Sequence, residues 1–96
     1  MSRLDNLEEA LEEYRAQIDD VDEQLIVYLA RRFELSQSIG TLKLDASVGV
    51  VQPDRAKEVQ ERYIHLGTRH GLHRHFITEL FELIHEESCR IQSRRE

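Results

Sequence analysis

The fold is decided by residues 4–43, LDNLEEALEEYRAQIDDVDEQLIVYLARRFELSQSIGTLK, which contain no proline and a single glycine near their end. Apolar and aromatic residues recur there every three or four positions, which is the spacing of one helix face. We call this face the seam, and its eleven apolar members are Leu4, Leu7, Leu11, Tyr14, Ile18, Val21, Leu25, Tyr28, Leu35, Ile39 and Leu42. Arg32 lies on the same face and puts a permanent cation where packing favours leucine. The pattern predicts one very long N-terminal helix over about residues 4–43.

The predicted length of this helix implies a second chain. A helix of this span is ~58 Å long, whereas a compact chain of 96 residues has a diameter of roughly 30–35 Å. Without a second chain, about half of the seam would therefore face water. This exposure costs ~25 cal/mol of free energy for each Å² of apolar surface. We predict a homodimer in which the two long helices lie against each other.

The remainder of the chain reads as two shorter helices. Helical spacing is lost over residues 44–52, and we predict a loop there, because a lone strand would have nothing to pair with. Pro53 is suited to the first position of a second helix, predicted over about 53–66 and ended by Gly67. Gly71 precedes a third helix, predicted over about 72–93. The expected fold is a single all-α domain of residues 1–96 with three helices.

Composition narrows the function classes. The net charge of −6 argues against a nucleic-acid partner or an anionic membrane surface. The sequence contains no run of about 18 apolar residues, the length needed to cross a bilayer. It also has no basic-then-apolar leader pattern, so we expect a cytoplasmic protein. The single cysteine, Cys89, provides neither an internal disulfide nor a metal-binding spacing, and we predict no metal and no cofactor.

Cationic residues on or beside the seam are the candidate functional groups. Arg32 and Lys43 are eleven residues apart, so they lie within about 20° of one helix face and ~16 Å apart along the axis. Arg15 precedes Arg32 by 17 residues, or ~25 Å, which is too far to share a small ligand within one chain. In an antiparallel dimer the Arg15 of the partner chain could reach the same small dianion.

Each of these residues also has a structural interpretation. Arg32 could fix the register of a helical dimer, Lys43 could satisfy a helix C-terminus, and Arg15 could form a surface ion pair. On the third helix, Ser88 and Gln92 are one turn apart on an apolar face. They could be hydrogen-bonded core residues or groups that orient a ligand.

An ordered set of segments gives the sequence a likeness to a known family. The set comprises Arg15, residues 18–22 (IDDVD), 29–32 (LARR), 40–43 (GTLK), 53–55 (PDR) and 87–92 (ESCRIQ). With these spacings the chain resembles the all-helical chorismate mutases from about residue 11 to residue 92. The resemblance implies an intertwined three-helix homodimer with two active sites, each bounded by both chains.

The resemblance also implies roles for individual residues. Arg32 and the partner chain's Arg15 would hold substrate carboxylates, and Lys43 and Gln92 would face the ether oxygen. Three further residues would line the site: Ser88 near a carboxylate, Arg55 on the second helix, and Gln52 in the segment that closes it. The rearrangement of chorismate to prephenate is pericyclic and needs a folded dicarboxylate and stabilised charge rather than a nucleophile.

Departures from the family pattern leave alternatives open. Ala56 stands where the family has a glutamate that accepts from the ring hydroxyl, Gln52 stands where an aspartate is frequent, and His85 occupies a usually apolar position. The stretch over residues 51–56 of this chain is similar to the matching stretch of isochorismate-pyruvate lyases and aminodeoxychorismate mutases. A hypothesis of another class is a non-catalytic helical dimerisation module with Arg32 as its register device.

Overall fold

The computed structural model describes residues 2–50 and 52–93, and these form three α-helices with no strand among them. Helix α1 spans Arg3–Asp45, α2 spans Pro53–Arg69 and α3 spans Arg74–Gln92. The predicted all-α class and the very long N-terminal helix, 43 residues, are confirmed. The chain divides into two compact units, residues 1–32 and 33–96. The intertwined dimer stays a prediction.

The first unit is the N-terminal part of α1. Its start is capped by a reciprocal pair of hydrogen bonds, because the Asp5 amide donates to Ser2 Oγ and the Ser2 amide donates to the Asp5 carboxylate. The seam residues of this unit are exposed, from 38% at Leu11 to 71% at Tyr28. Hydrophobic burial within the unit therefore does not account for its apolar face.

The second unit contains the buried core. Ile77, Phe81 and Ile84 lie on one face of α3 and are its buried hydrophobic residues. The Tyr63 ring of α2 meets Phe81 edge to face, with ring centroids 5.3 Å apart. The α2–α3 pair thus forms the core of this unit, and the end of α1 contacts α3 through the hydroxyls of Ser36 and Ser88. Within the described residues, no helix combines the length and apolar character needed to span a membrane.

Gly67 does not end α2 as predicted. The helix continues to Arg69, and the left-handed residue beyond it is Gly71, with φ of 81°. The amides of Gly71 and Leu72 donate to the carbonyls of Thr68 and Gly67, which is a Schellman turn. Gly67 instead allows close packing, since a Cβ there would lie 2.5 Å from Cγ1 of Ile77. Helix α3 begins at Arg74, after the His73 side chain caps it, rather than near residue 72.

Candidate active site

The end of α1 and the end of α3 meet at Lys43 and Gln92. The Lys43 ammonium donates to Oε1 of Gln92 at 2.7 Å and to the carbonyl oxygen of Val50 at 2.6 Å. Both side chains are half-buried. An ammonium only donates, so the oxygen of the Gln92 amide faces Lys43 and its NH₂ group is directed elsewhere as a donor. The contact therefore leaves the Gln92 NH₂ group as a second donor in addition to the Lys43 ammonium.

The loop after α1 reaches Lys43 by turning back on the helix. Ser47 adopts the left-handed conformation with φ of 57°, and the amides of Ser47 and Val48 donate to the carbonyls of Leu44 and Lys43. These bonds form a second Schellman turn. The reversal brings the Val50 carbonyl to the Lys43 ammonium, so the predicted loop, as far as residue 50, supplies one wall of the site. Val51 lies outside the described residues.

Gly40 brings α1 into direct contact with α3. A Cβ at Gly40 would lie 2.7 Å from the Cα of Gln92 and 2.9 Å from its carbonyl oxygen. Gly40 is buried, and it precedes Lys43 by one turn of the same helix. Only a residue without a side chain allows the two backbones this close approach.

A cavity of about 270 Å³ opens at this junction. Its walls come from Gly40, Lys43 and Leu44, from loop residues 48–50, and from Gln92 and Ser93. This volume lies just below the roughly 300–1,000 Å³ of small-molecule pockets. The described lining carries one cation and no carboxylate, so the electrostatics favour an electron-rich ligand atom beside Lys43.

Ser88 lies within the packed interior. It is 5% exposed, and its hydroxyl oxygen is 3.2 Å from that of Ser36, the buried serine of α1. The sequence offered both interpretations of Ser88, and the structure gives it a buried hydroxyl partner. One turn further along α3, the polar residue Gln92 lines the cavity.

Three of the expected substrate-binding residues lie at the surface. Arg15 pairs with Glu12 at 3.2 Å, and Arg55 pairs with Glu58, both through exposed side chains one turn apart. Gln52 is exposed and occupies the N-cap of α2 without a side-chain capping bond. None of these contacts involves Lys43, and the substrate-binding roles of the three residues stay predictions.

Arg32 belongs to the first unit, where its side chain is half-buried. It also takes part in a non-covalent interaction with another group. Its partial burial is consistent with the unusual seam position predicted from the sequence, whereas its role toward a ligand stays a prediction.

The residues that depart from the family pattern have identifiable surroundings. His85 stacks on Phe81 with ring centroids 5.4 Å apart, and its Nε2 lies 3.7 Å from Sγ of Cys89. Ala56 is half-buried on α2. On the outer face of α3, the Glu87 carboxylate raises the pKa of the Arg90 guanidinium, chiefly by accepting its hydrogen bond. Within residues 2–50 and 52–93, no cluster of three His, Cys, Asp or Glu side chains could hold a metal ion.

Sequence reasoning missed two contributors to the site. Gly40 was noted as part of a motif, but its role as a close-approach glycine emerges only from the contact with Gln92. The Val50 carbonyl has no sequence signal, because every residue carries one. An isolated glycine in a helical pattern is the signal that could have identified Gly40.

Comparison with known proteins identifies the family of this chain. The profile of the family described as chorismate mutase type II matches residues 14–93. The chain is 42% identical over 78 residues to the bifunctional chorismate mutase/prephenate dehydratase of Escherichia coli (strain K12), covering 81% of this chain and 20% of that protein. It thus spans about a fifth of the length of that relative.

Two further proteins match over most of their length. The 4-amino-4-deoxychorismate mutase of Streptomyces venezuelae is 32% identical over 82 residues, which are 85% of this chain and 80% of that protein. A solved structure of a conserved hypothetical protein from Pyrococcus furiosus superposes with a TM-score of 0.70 and 30% identity, covering 86% of this chain and 95% of that one. The chain belongs to the chorismate mutase type II family.

Proposed function

We propose that this chain catalyses the rearrangement of chorismate to prephenate as a homodimer with two active sites, each lined by both chains. The observation that carries the proposal is the Lys43–Gln92 pair at the wall of the cavity. The family membership and the 42% identity to a chorismate mutase-containing enzyme support the choice of reaction.

The geometry suits the charge that develops in this reaction. As the C–O bond of the enolpyruvyl ether breaks, negative charge grows on the ether oxygen. An ammonium and an amide NH₂ directed at that oxygen stabilise the transition state more than the substrate. Because Lys43 holds the Gln92 oxygen, the amide is already oriented to donate. Little reorganisation is then needed when the bond breaks.

The two substrate carboxylates need cations beyond Lys43. We propose that Arg32 binds one of them and that Arg15 of the partner chain binds the other. Bidentate guanidinium–carboxylate pairs fix both position and orientation. Holding the two carboxylates in this way would keep the substrate in its folded, reactive shape. Arg55, Gln52 and Ser88 are the further residues that we assign to this binding site.

The exposed seam supports the dimer. All eleven apolar seam residues are at least 38% exposed, including Leu35, Ile39 and Leu42 in the second unit. A single-chain apolar stripe of this kind marks an interaction surface. A second copy of α1 covers it with a matching apolar stripe, as in other two-chain helical assemblies. We further propose that the protein acts in the cytoplasm, where its unpaired Cys89 thiol suits a reducing environment.

A direct assay tests the proposed reaction. Purified protein is incubated separately with chorismate, isochorismate and 4-amino-4-deoxychorismate, and the products are identified by chromatography and mass spectrometry. Prephenate from chorismate, lost in the Lys43→Ala variant, is the expected result. Pyruvate and salicylate from isochorismate, without prephenate from chorismate, would replace the proposal with a lyase.

The second candidate is a mutase for 4-amino-4-deoxychorismate. Two observations favour it: the Streptomyces relative matches over 80% of its own length, and Ala56 replaces the carboxylate that would accept from a ring hydroxyl. Conversion of the amino substrate at least tenfold faster than chorismate would establish this alternative. If the chain is instead a non-catalytic helical module, none of the three substrates gives a product. The Arg32→Leu variant then forms a tighter dimer than the parent chain.

A further inference from the structure

We propose that Gly40 is a positioning residue that sets the separation between the Lys43 ammonium and the Gln92 amide. The inference rests on the proposed function, in which these two groups stabilise the breaking C–O bond. Gly40 lines the cavity, but in this scheme it donates no group to the substrate. It acts through the backbone of Gln92, which lies against it.

The geometry at Gly40 leaves no room for a side chain. A Cβ there would lie 2.7 Å from Cα, 2.9 Å from the carbonyl oxygen and 3.2 Å from the carbonyl carbon of Gln92. Real Cβ atoms essentially never approach other atoms within 3.0 Å. The obstructing atoms are backbone, so rotation of a side chain cannot relieve the contact. An alanine at this position must move the last turn of α3 away from α1.

The same movement acts on the Lys43–Gln92 pair. Lys43 follows Gly40 by three residues on α1, so both lie on the same side of the helix. The hydrogen bond from Lys43 to Gln92 is 2.7 Å long, which leaves little slack. Displacement of Gln92 lengthens or breaks this bond and turns the amide away from the ligand atom. Chemistry should therefore suffer more than binding.

Gly67 provides a matched control elsewhere in the second unit. It is also a buried helical glycine, and its Cβ would lie 2.5 Å from Cγ1 of Ile77. Its contact joins α2 to α3 in the core and involves neither Lys43 nor Gln92. Gly67→Ala should therefore lower the melting temperature without changing the chemistry of the folded protein.

The experiment compares Gly40→Ala with Gly67→Ala on chorismate, correcting for the folded fraction by circular dichroism. For Gly40→Ala we expect kcat to fall at least tenfold with KM within about twofold of the parent value, a loss equal to about 1.4 kcal/mol per tenfold. For Gly67→Ala we expect kcat within about twofold of the parent value. An unchanged kcat in folded Gly40→Ala overturns the proposal. The absence of a cooperative unfolding transition in Gly40→Ala also overturns it, because the glycine is then needed for folding alone.

A second readout does not depend on turnover. In Gln92→Glu, the introduced carboxylate lies beside the Lys43 ammonium, and this cation lowers the pKa of the carboxyl group. Carbon-13 NMR of the introduced side chain follows its titration. Adding Gly40→Ala should raise this pKa, because the cation is farther away, whereas adding Gly67→Ala should leave it unchanged. If the parent chain leaves chorismate unchanged, the proposed function fails while the titration still tests the separation. An identical pKa with and without Gly40→Ala overturns the positioning role.

Discussion

The Nζ atom of Lys43 lies 2.6 Å from the carbonyl oxygen of Val50, so the last turn of α1 holds the loop that follows it. The same ammonium donates to Gln92, and these two acceptors account for two of its three N–H donors. Lys43 therefore joins three segments of the second unit at the cavity. An ammonium in this position can organise the site and also donate to a ligand.

Replacing Lys43 tests this double role. Lys43→Ala should lower kcat by about 10²–10³-fold, the usual loss for one preorganised donor in an active site. It should also release residues 48–50, which hydrogen exchange would detect as faster exchange after α1. Lys57→Ala is the control, because Lys57 is an exposed lysine of α2. Equal activity in the two variants would remove Lys43 from the mechanism.

Gln92→Glu should make the reaction depend on pH. Above its pKa, the introduced carboxylate can accept from Lys43 but cannot donate, and it repels the negative charge on the ether oxygen. We therefore expect a loss of about 10²-fold or more at pH 7. Activity should rise as the pH falls and the carboxyl gains a proton to donate. The measurement is kcat/KM against pH.

The exposed Gln37 of α1 supplies a control for this charge change. Gln37→Glu adds the same carboxylate outside the cavity, so its pH profile should follow the parent profile. If Gln92→Glu retained parent activity with a flat profile, the amide would not be a donor in the reaction.

The helices could be predicted from sequence because each is encoded by local spacing. The recurrence of apolar residues in α1 and the Pro53 start of α2 are properties of neighbouring residues. The C-terminus of α2 was predicted wrongly at Gly67, because glycine serves both helix ends and close packing. Which of the two applies depends on Ile77, ten residues away on another helix.

The site was predictable to a smaller extent. Lys43 and Gln92 were expected to share a site because of the family resemblance, and their contact is present in the structure. Spacing alone could not pair residues 49 positions apart. The contributions of Gly40 and the Val50 carbonyl arise from backbone proximity, which side-chain patterns do not encode. The role of Arg15 requires a second chain, so it stays a prediction.

The buried Ser36–Ser88 pair allows packing to be separated from ligand binding. Ser36→Ala and Ser88→Ala should each lower the free energy of unfolding by about 0.5–1.5 kcal/mol, since each removes the hydrogen bond between the two buried hydroxyls. If Ser88 also assists a substrate carboxylate, Ser88→Ala should raise KM several-fold while Ser36→Ala leaves it unchanged. Urea unfolding and steady-state kinetics measure the two effects. Equal KM values would limit Ser88 to the core.

Mixed dimers test whether Arg15 acts in the partner's site. Arg15→Ala and Lys43→Ala homodimers should both be inactive, but a mixed dimer would contain one site with both residues intact. Random exchange at equal concentrations should restore about a quarter of parent activity, because half of the dimers are mixed and each has one intact site of two. Lys43→Ala mixed with Gln92→Ala should restore none, since these residues meet within one chain. Mass spectrometry would verify that the two variants have exchanged chains. If the exchanged mixture of Arg15→Ala and Lys43→Ala chains stayed inactive, Arg15 would not act across the dimer.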